Sequence, residues 1–219
     1  MKKIFFETSL LERVDGSCVY REGLNKVVCS IVGPSEIKTR DDALGEAVLD
    51  VIIRFNIGLY GAKERQIEQT IHKIVSATII RAMYPHTLIQ VIIQVISCDK
   101  SENTASLLAT MLNATNIALI DSGISLLYTF SAICFAVIIK NKEISIIADP
   151  AQKILNECMS THVICYSFPD EKLLSCESIG HFTENEFFEI LLKAKSSCKN
   201  IYYEIKTRMT EKMIQENRK

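Results

Sequence analysis

The stretch that decides the fold is residues 104–123, TASLLATMLNATNIALIDSG, which predicts a helix from Thr104 to Asp121. Apolar residues lie on nearly every face of this helix, and Asn113, Asn116 and a few threonines are the main interruptions. A helix without a polar stripe has to be covered by protein on several sides. Ser122-Gly123 then closes it, because glycine readily takes the left-handed conformation that ends many helices. We therefore expect this helix to be the most buried one in the chain.

Positive charge is nearly absent around this helix. Between Ala82 and Ile139 the chain has no arginine, and Lys100 is its one lysine. A region with the pattern of the centre of an α/β enzyme thus carries almost no cationic side chains. This absence limits the reactions that the region can support, because negative charge that develops during a reaction needs cations or other donors nearby.

Before the central helix, strand and helix patterns alternate. Leu49, Val51, Ile53 and Phe55 alternate with polar residues, which predicts a half-buried strand. Apolar residues at helical spacing follow, and Pro85 ends that pattern. The predicted elements are a hairpin over 17–32 with its turn at 23–25, a strand over 49–55, a helix over 63–84 and a strand over 87–97.

After the central helix, the alternation continues. Thr183 and Glu186 form the pattern of a capping box, and an apolar stripe then predicts a C-terminal helix over about 184–217. The other predicted elements are a hairpin of 130–139 with 143–148, a short helix over 150–159, and a hairpin of 162–168 with 172–176. Together these patterns predict a mixed α/β (α+β) fold with two packed sheets and helices.

Composition predicts a single globular domain over residues 1–219. The chain is 48% hydrophobic and 23% charged, and its net charge of −1 provides no general basic field for nucleic acid. Its eight cysteines show no CxxC pair and no Cys/His cluster at zinc spacing, which is typical of reduced, buried cysteines in an intracellular protein. No metal site is predicted. Glu7 and Glu12 interrupt the N-terminal apolar patch before a signal sequence forms.

A membrane span is an alternative interpretation of residues 122–139. The segment is uncharged and is followed by Lys140 and Lys142, a cationic flank. However, Gly123 breaks its start, and residues 133–139 are rich in the β-branched and aromatic side chains of a buried strand. We therefore expect a strand here and no contact with a membrane.

Four short segments are the most distinctive features. The chain has no Walker-type loop, no G-x-S-x-G and no G-x-G-x-x-G motif, and its four histidines are scattered. It does have R-V-D-G at 13–16, G-P-S-E at 33–36, and the strand entry P-H-T at 85–87 that leads to A-L-I-D-S-G-I at 118–124. In this order and approximate spacing, these segments resemble the RNase PH family, and most closely the RNase PH-like subunits of the eukaryotic RNA exosome.

The resemblance covers nearly the whole chain and implies an RNase PH fold of the ribosomal-S5-domain-2-like type. Six such folds form a ring around a channel. The partners that it implies are other RNase PH-like exosome subunits in a hetero-hexameric ring, S1/KH cap proteins, RNA and associated hydrolytic ribonucleases. It also implies a location in the nucleus, nucleolus and cytoplasm, and no cofactor.

Active members of this family cleave the 3′ end of RNA with inorganic phosphate, and such chemistry needs arginines to hold the reacting phosphates. The resemblance places Ser17 where the first of these arginines stands. It places another at about His72, and a third either at Asn103 or near Leu107 or Leu108, depending on the alignment. None of these positions carries an arginine.

The proton donor is also missing. Active members place acids on the short helix after Asp149-Pro150 and at the next strand entry, but residues 151–168 contain only Glu157. An acid on a short helix is more often a solvated surface residue than a catalytic one. We therefore predict no catalytic residue and a non-catalytic ring subunit.

Contacts with RNA would depend on a few local cations. Lys38 and Arg40 lie in a loop after a predicted strand, and Arg54 lies on the polar face of the next strand. We take these three as candidate RNA-binding residues, although exposed cations are usually only solvated. The lysines of the C-terminal helix are expected to form such a solvated face.

Three functions remain open at this point. The first is a catalytically silent exosome ring subunit that contributes to assembly and to the RNA channel. The second is an active phosphate-dependent 3′-to-5′ exoribonuclease of the RNase PH type, with a site completed by a neighbouring subunit. The third is a small-molecule enzyme or an unrelated binding module, because one fold can serve many functions.

Overall fold

The computed structural model describes residues 4–36, 45–55, 61–98, 104–140 and 143–216. The chain divides into two compact units, residues 1–129 and 130–219. Each unit has its own sheet. The expectation of a single domain over residues 1–219 stays a prediction.

The first unit alternates strands and helices around one sheet. Its elements are β1 (Ile4–Thr8), β2 (Gly16–Glu22), β3 (Asn25–Glu36), β4 (Val48–Arg54), α1 (Ala62–Thr78), a short 3-10 helix (Arg81–Met83), β5 (Thr87–Ser97) and α2 (Ala105–Ser122). The strand order is β1-β2-β3-β5-β4, and every neighbouring pair is antiparallel except β4 with β5, which is parallel.

Burial alternates along β1, β3, β4 and β5, as period-two patterns predict, whereas six of the seven residues of β2 are buried. Val27, Cys29 and Ile31 of β3 are fully buried, and residues between them are half-buried or exposed. Helix α2 packs on β2 and β3, and α1 packs on β4. The sheet therefore has an inner face that meets the helices and an outer face that is more exposed.

Helix α2 is the most thoroughly buried helix, as predicted. Every residue from 105 to 119 is buried, including the asparagines and threonines. Strand groups partner its polar side chains: the Asn25 amide donates to the Ser106 hydroxyl at 3.2 Å, and the Asn113 amide donates to the Tyr20 hydroxyl at 3.4 Å. Such pairing removes most of the cost of burying a polar group. Gly123 ends the helix in the left-handed conformation, at φ 70°.

Helix α1 is shorter than its pattern predicts, and the expected end near Tyr84 is wrong. The helix ends at Thr78, because the next residues pair with another segment. Ile79 forms a bridge with Leu126, and the Ile80 amide donates to the Ser125 carbonyl at 3.0 Å. Tertiary hydrogen bonding overrides the helical pattern here. Strand β1 was not predicted at all.

The second unit is a four-stranded sheet with the long C-terminal helix. Its elements are β6 (Thr129–Lys140), which begins one residue before the boundary, β7 (Glu143–Ala148), α3 (Gln152–Glu157), β8 (Ser160–Phe168), β9 (Leu173–Gly180) and α4 (Glu184–Glu216). The strand order is β7-β6-β8-β9, and all nine residues of β8 are buried. The two sheets and their helices confirm the predicted mixed α/β class, and α4 has the predicted bounds within the described residues.

The segment considered as a membrane span, residues 122–139, contains the end of α2, a turn and most of β6. Across the described ranges, no helix has both the length and the apolar character needed to cross a membrane.

The turn between β8 and β9 is tied to α4 by an ion triad. The Glu171 carboxylate forms ion pairs with the ammonium groups of Lys195, at 2.8 Å, and Lys199, at 2.6 Å. These two lysines therefore have a specific acidic partner, in addition to the solvation that was expected for them. Hydrogen bonds from the two ammonium groups lower the pKa of the Glu171 carboxyl from 4.5 to about 2.

The triad predicts a pH-dependent effect of Glu171→Gln. A carboxyl whose pKa is lowered by folding contributes stability above its unfolded pKa, and this contribution is lost as the pH falls through its folded pKa. The variant should therefore have a lower Tm than the wild type at neutral pH. The difference should shrink as the pH falls from 4.5 towards about 2. A Tm difference that stays constant over that range in thermal scans would contradict the assignment.

Candidate functional site

The position where the resemblance implies the first arginine is a closed structural site. Ser17 in β2 is 1% exposed. Its hydroxyl oxygen accepts hydrogen bonds from the Leu10 amide at 2.9 Å and the Leu11 amide at 3.1 Å. The side chain thus holds the loop between β1 and β2 against the sheet. It presents no group to a phosphate.

Asp121, at the end of α2, connects this loop to the central helix. Its carboxylate accepts from the Ser17 amide at 3.0 Å, from the Ser9 amide at 3.1 Å and from the Ser9 hydroxyl at 2.8 Å. A carboxylate can accept several hydrogen bonds at once, and bonds to a charged acceptor are stronger than neutral ones. Asp121 therefore fastens β1 and β2 to the C-terminal end of α2.

The R-V-D-G and G-P-S-E segments meet in the same region of the fold. Asp15 accepts a hydrogen bond from the Gly33 amide at 2.8 Å, and its own amide donates to the Ile31 carbonyl at 3.0 Å. Gly16 lies so close to α2 that a Cβ atom would be 2.5 Å from the Ala118 carbonyl oxygen. The motif residues Asp15, Gly16 and Asp121 thus build a joint between the loop, the sheet and α2. We call these three residues and Ser17 the motif joint.

His72, on α1, is fixed against the backbone of β4. Its Nε2 atom lies 3.3 Å from the Leu49 carbonyl oxygen, so this nitrogen is the donor in the hydrogen bond. An imidazole held in this way offers at most one further nitrogen. It lacks the forked donors with which an arginine grips phosphate.

The third arginine position has no cation in the described part of α2. Leu107 and Leu108 are buried, with 4% and 7% of their surface exposed. Asn103, the alternative position, lies outside the described residues. At the two leucines, the first turn of α2 contributes only apolar packing.

In active members of the family, the resemblance places the catalytic acid in the second unit, and the sequence predicts that this acid is missing here. Glu157, the one acid predicted there, is the last residue of α3 and is exposed. Asp149 has a positive φ of 48°, and its amide donates to the Cys134 carbonyl at 2.9 Å. No group of three or more His, Cys, Asp or Glu side chains in the described ranges could hold a metal ion.

His162 lies in a polar network that the sequence did not predict. Its ring is fully buried, with the Ser178 hydroxyl 2.8 Å from Nδ1 and the Ser160 hydroxyl 3.0 Å from Nε2. Phe182 lies edge-on to the ring at 4.7 Å. Burial lowers the pKa of this histidine. Ser160 is only 1% exposed, so a substrate has no access to Ser160 and His162. Their hydrogen bonds instead support the pairing of β8 and β9.

The predicted RNA contacts are only partly described. Lys38 and Arg40 lie outside the described residues. Arg54 is the last residue of β4 and is exposed on the outer face of the sheet, opposite Gln94 of β5. The role of Arg54 as an RNA contact stays a prediction.

Comparisons with known proteins agree with the motifs. Residues 1–125 match the RNase_PH family, described as "3' exoribonuclease family, domain 1". The chain is 34% identical to the exosome complex component rrp46 of Schizosaccharomyces pombe, over 92% of this chain and 87% of that protein. It is 29% identical to the exosome complex component RRP46 of Saccharomyces cerevisiae, over 96% and 95%. The crystal structure of Rrp46 from rice (Oryza sativa) has the same fold, with a TM-score of 0.86 and 21% identity over 96% and 95% of the chains.

The motif joint predicts that Asp121→Asn destabilises the protein. An amide has one oxygen to accept hydrogen bonds, and its NH₂ group would face the donors of Ser9 and Ser17. We expect the free energy of unfolding to fall by about 1–3 kcal/mol, the usual cost of a broken hydrogen bond to a charged group. Denaturant titration measures this change.

Asp50→Asn is the matched control for this experiment. Asp50 accepts a hydrogen bond from the Gln90 amide at 2.9 Å in the same sheet, but it is not part of the motif joint. An Asn in its place keeps an oxygen for that bond, so the control should change the free energy of unfolding by less. Equal effects of the two substitutions would contradict a joint centred on Asp121.

Proposed function

Because this chain belongs to the RNase PH family of 3′ exoribonucleases, we propose that it is a non-catalytic subunit of an RNA exosome core ring. In that role it supports 3′-to-5′ RNA processing and degradation by completing the ring and contributing to the path of the RNA. Its neighbours in the ring are other RNase PH-like subunits.

The ring-subunit role is supported by relatives that match along nearly their whole length. The two yeast proteins are named as exosome complex components, and the alignments cover 87% and 95% of them. An archaeal exosome core also contains a chain of this fold, with a TM-score of 0.73. A match along nearly the whole length supports assembly into the same kind of ring.

The absence of catalysis is supported above all by Ser17. A phosphorolytic site needs cations that neutralise the charge on the attacking phosphate and the scissile diester. At position 17 the side chain is a buried hydroxyl that holds the Leu10 and Leu11 amides. The protein thus uses this position to fix a loop and not to bind an anion.

The remaining positions support the same conclusion. His72 is bonded to the Leu49 carbonyl, and Leu107 and Leu108 are buried apolar side chains. Glu157 is an exposed acid at a helix end. A single general acid contributes about 10²- to 10⁴-fold to a rate, and loss of the phosphate grip adds to that deficit.

Other parts of the proposal come from the resemblance alone. They include S1/KH cap proteins and hydrolytic ribonucleases as further partners, and a location in the nucleus, nucleolus and cytoplasm. Affinity purification of a tagged chain and fluorescence microscopy would test these points directly.

Assembly tests the ring-subunit role. We expect the purified chain to enter a hetero-hexameric ring when it is mixed with RNase PH-like partner chains, and native mass spectrometry would give the stoichiometry. A protein that stays outside every such ring, or that forms a stable homo-hexamer, would contradict the proposal.

Phosphorolysis tests the absence of catalysis. RNA incubated with the isolated chain and orthophosphate should release no nucleoside diphosphates above the level of a protein-free control. A catalytically active member of the family under the same conditions serves as the positive control. Phosphate-dependent shortening of RNA by this chain alone would overturn the assignment.

A further inference from the structure

Three cations lie at one end of the outer face of the first sheet. They are Arg21 of β2, Lys26 of β3 and Arg54 of β4, and we call them the cationic row. All three are exposed. Of the three, the sequence pattern pointed only to Arg54. Arg21 and Lys26 flank a turn, where exposed charged residues are common.

Strand register places the three residues on the same face. Arg21 is directly opposite Lys26, and Arg54 is opposite Gln94, which in turn is opposite Val28. Residues opposite one another in neighbouring strands point to the same side of a sheet. Lys26 and Val28 share that side as well, because side chains alternate along a strand. The row therefore crosses four neighbouring strands.

The sheet geometry also gives the approximate spacing. Neighbouring strands are about 4.8 Å apart, and alternate residues of one strand are about 6.7 Å apart. Arg21 and Lys26 are one strand apart. Arg54 lies two strands beyond Lys26 and is displaced along the strand direction by the distance between alternate residues. The Cα atoms of Lys26 and Arg54 are therefore about 12 Å apart. Long, flexible side chains can close part of that distance, so the row can follow an extended chain of negative charges.

None of these three cations has an acidic partner in the described parts of the chain, in contrast to several others. Arg81, Arg208 and the helix lysines Lys193, Lys195 and Lys199 all form ion pairs with carboxylates. The Arg21 guanidinium donates a 3.4 Å hydrogen bond to the Gly23 carbonyl, a neutral acceptor that leaves its charge uncompensated. The positive charge of the row is thus available to an outside anion.

Few acidic side chains share the outer face with the cationic row. Asp50 shares the face but lies at the other end of the sheet, where it accepts a hydrogen bond from Gln90. Glu7 of β1 also shares the face: it is opposite Val19 and therefore diagonal to Arg21, but within the described residues no ion pair joins it to the row. The outer face therefore has a positive end.

Apolar and aromatic side chains surround the row. Phe5 is directly opposite Arg21 and is 51% exposed, and Ile96 is 40% exposed. Val28 and Ile92 form a half-buried strip next to Gln94. Exposed aromatic rings on a sheet can stack on nucleic-acid bases, while nearby cations bind the backbone.

We propose that the cationic row binds the phosphodiester backbone of single-stranded RNA, with Phe5 as a stacking surface for a base. This inference rests on the proposed function, which brings RNA to the ring. Charge complementarity favours RNA over a protein neighbour, because three uncompensated cations beside an aromatic ring match a repeating chain of phosphates and bases.

The test compares RNA binding by the full-length wild-type chain and by the triple variant Arg21→Ala, Lys26→Ala, Arg54→Ala. Fluorescence anisotropy with a labelled oligouridylate gives Kd over a salt series. Each lost phosphate contact should reduce the slope of log K against log salt by about 0.7, so three contacts reduce it by about 2. Between about 50 and 200 mM salt, the wild type should therefore lose about twentyfold more affinity than the variant.

Two further variants separate the row from general charge effects. The first is a triple variant that removes three exposed positive charges from α1 and α4: Lys73→Ala, Lys193→Ala, Lys206→Ala. It should keep the wild-type salt slope. Arg21→Lys with Arg54→Lys should also keep it, because a phosphate accepts the point charge of a lysine. Exposed positions tolerate all these substitutions with little loss of stability, which thermal unfolding would verify.

Several outcomes would overturn the inference. They are a wild-type chain that does not bind the oligouridylate, a triple variant with the wild-type Kd and salt slope, and a helix-lysine control that loses as much affinity as the row variant. A row variant that binds RNA normally but no longer enters the ring would assign this face to a protein neighbour. A wild-type chain that binds RNA through the row but never enters a ring would instead contradict only the proposed function.

Discussion

The burial of α2 is the constraint on which the rest of the first unit depends. Fifteen consecutive residues, 105–119, are shielded from water, so every polar group among them needs a partner. Short neutral side chains meet that need: Asn113 reaches Tyr20, and Thr115 accepts a hydrogen bond from the Cys29 thiol. Burial raises the pKa of that thiol to about 12, which keeps it neutral as well. An unpaired arginine or lysine in this environment would lose its hydration without compensation.

The family motifs have a structural role that is independent of chemistry. Asp15 holds Gly33, Gly16 allows the sheet to approach α2, and Asp121 fastens the loop after β1. These contacts are needed whether or not RNA is cleaved, because they set the relation between sheet and central helix. A chain can therefore lose the reaction and keep the motifs. The motifs identify the fold and the family, whereas the residues next to them decide the activity.

Most of the fold could be predicted because burial leaves a periodic pattern. The strand over 87–97 and the helix around residues 104–122 follow directly from such patterns. The early end of α1 could not be predicted, since it depends on a bridge between Ile79 and Leu126, which are far apart in sequence. For the site, the absence of arginines was visible in the sequence. The cationic row was not, because only strand register brings Arg21, Lys26 and Arg54 onto one face.

The hydroxyl at position 17 limits which side chains this position can hold. Two backbone amides of the preceding loop donate hydrogen bonds to that oxygen, and the side chain is shielded from water. Arginine at this position would remove the acceptor of both amides and bring a charge into a site that water does not reach. The loop between β1 and β2 would then lose its hold on the sheet. A cation therefore cannot be introduced at position 17 without rebuilding the loop that precedes it.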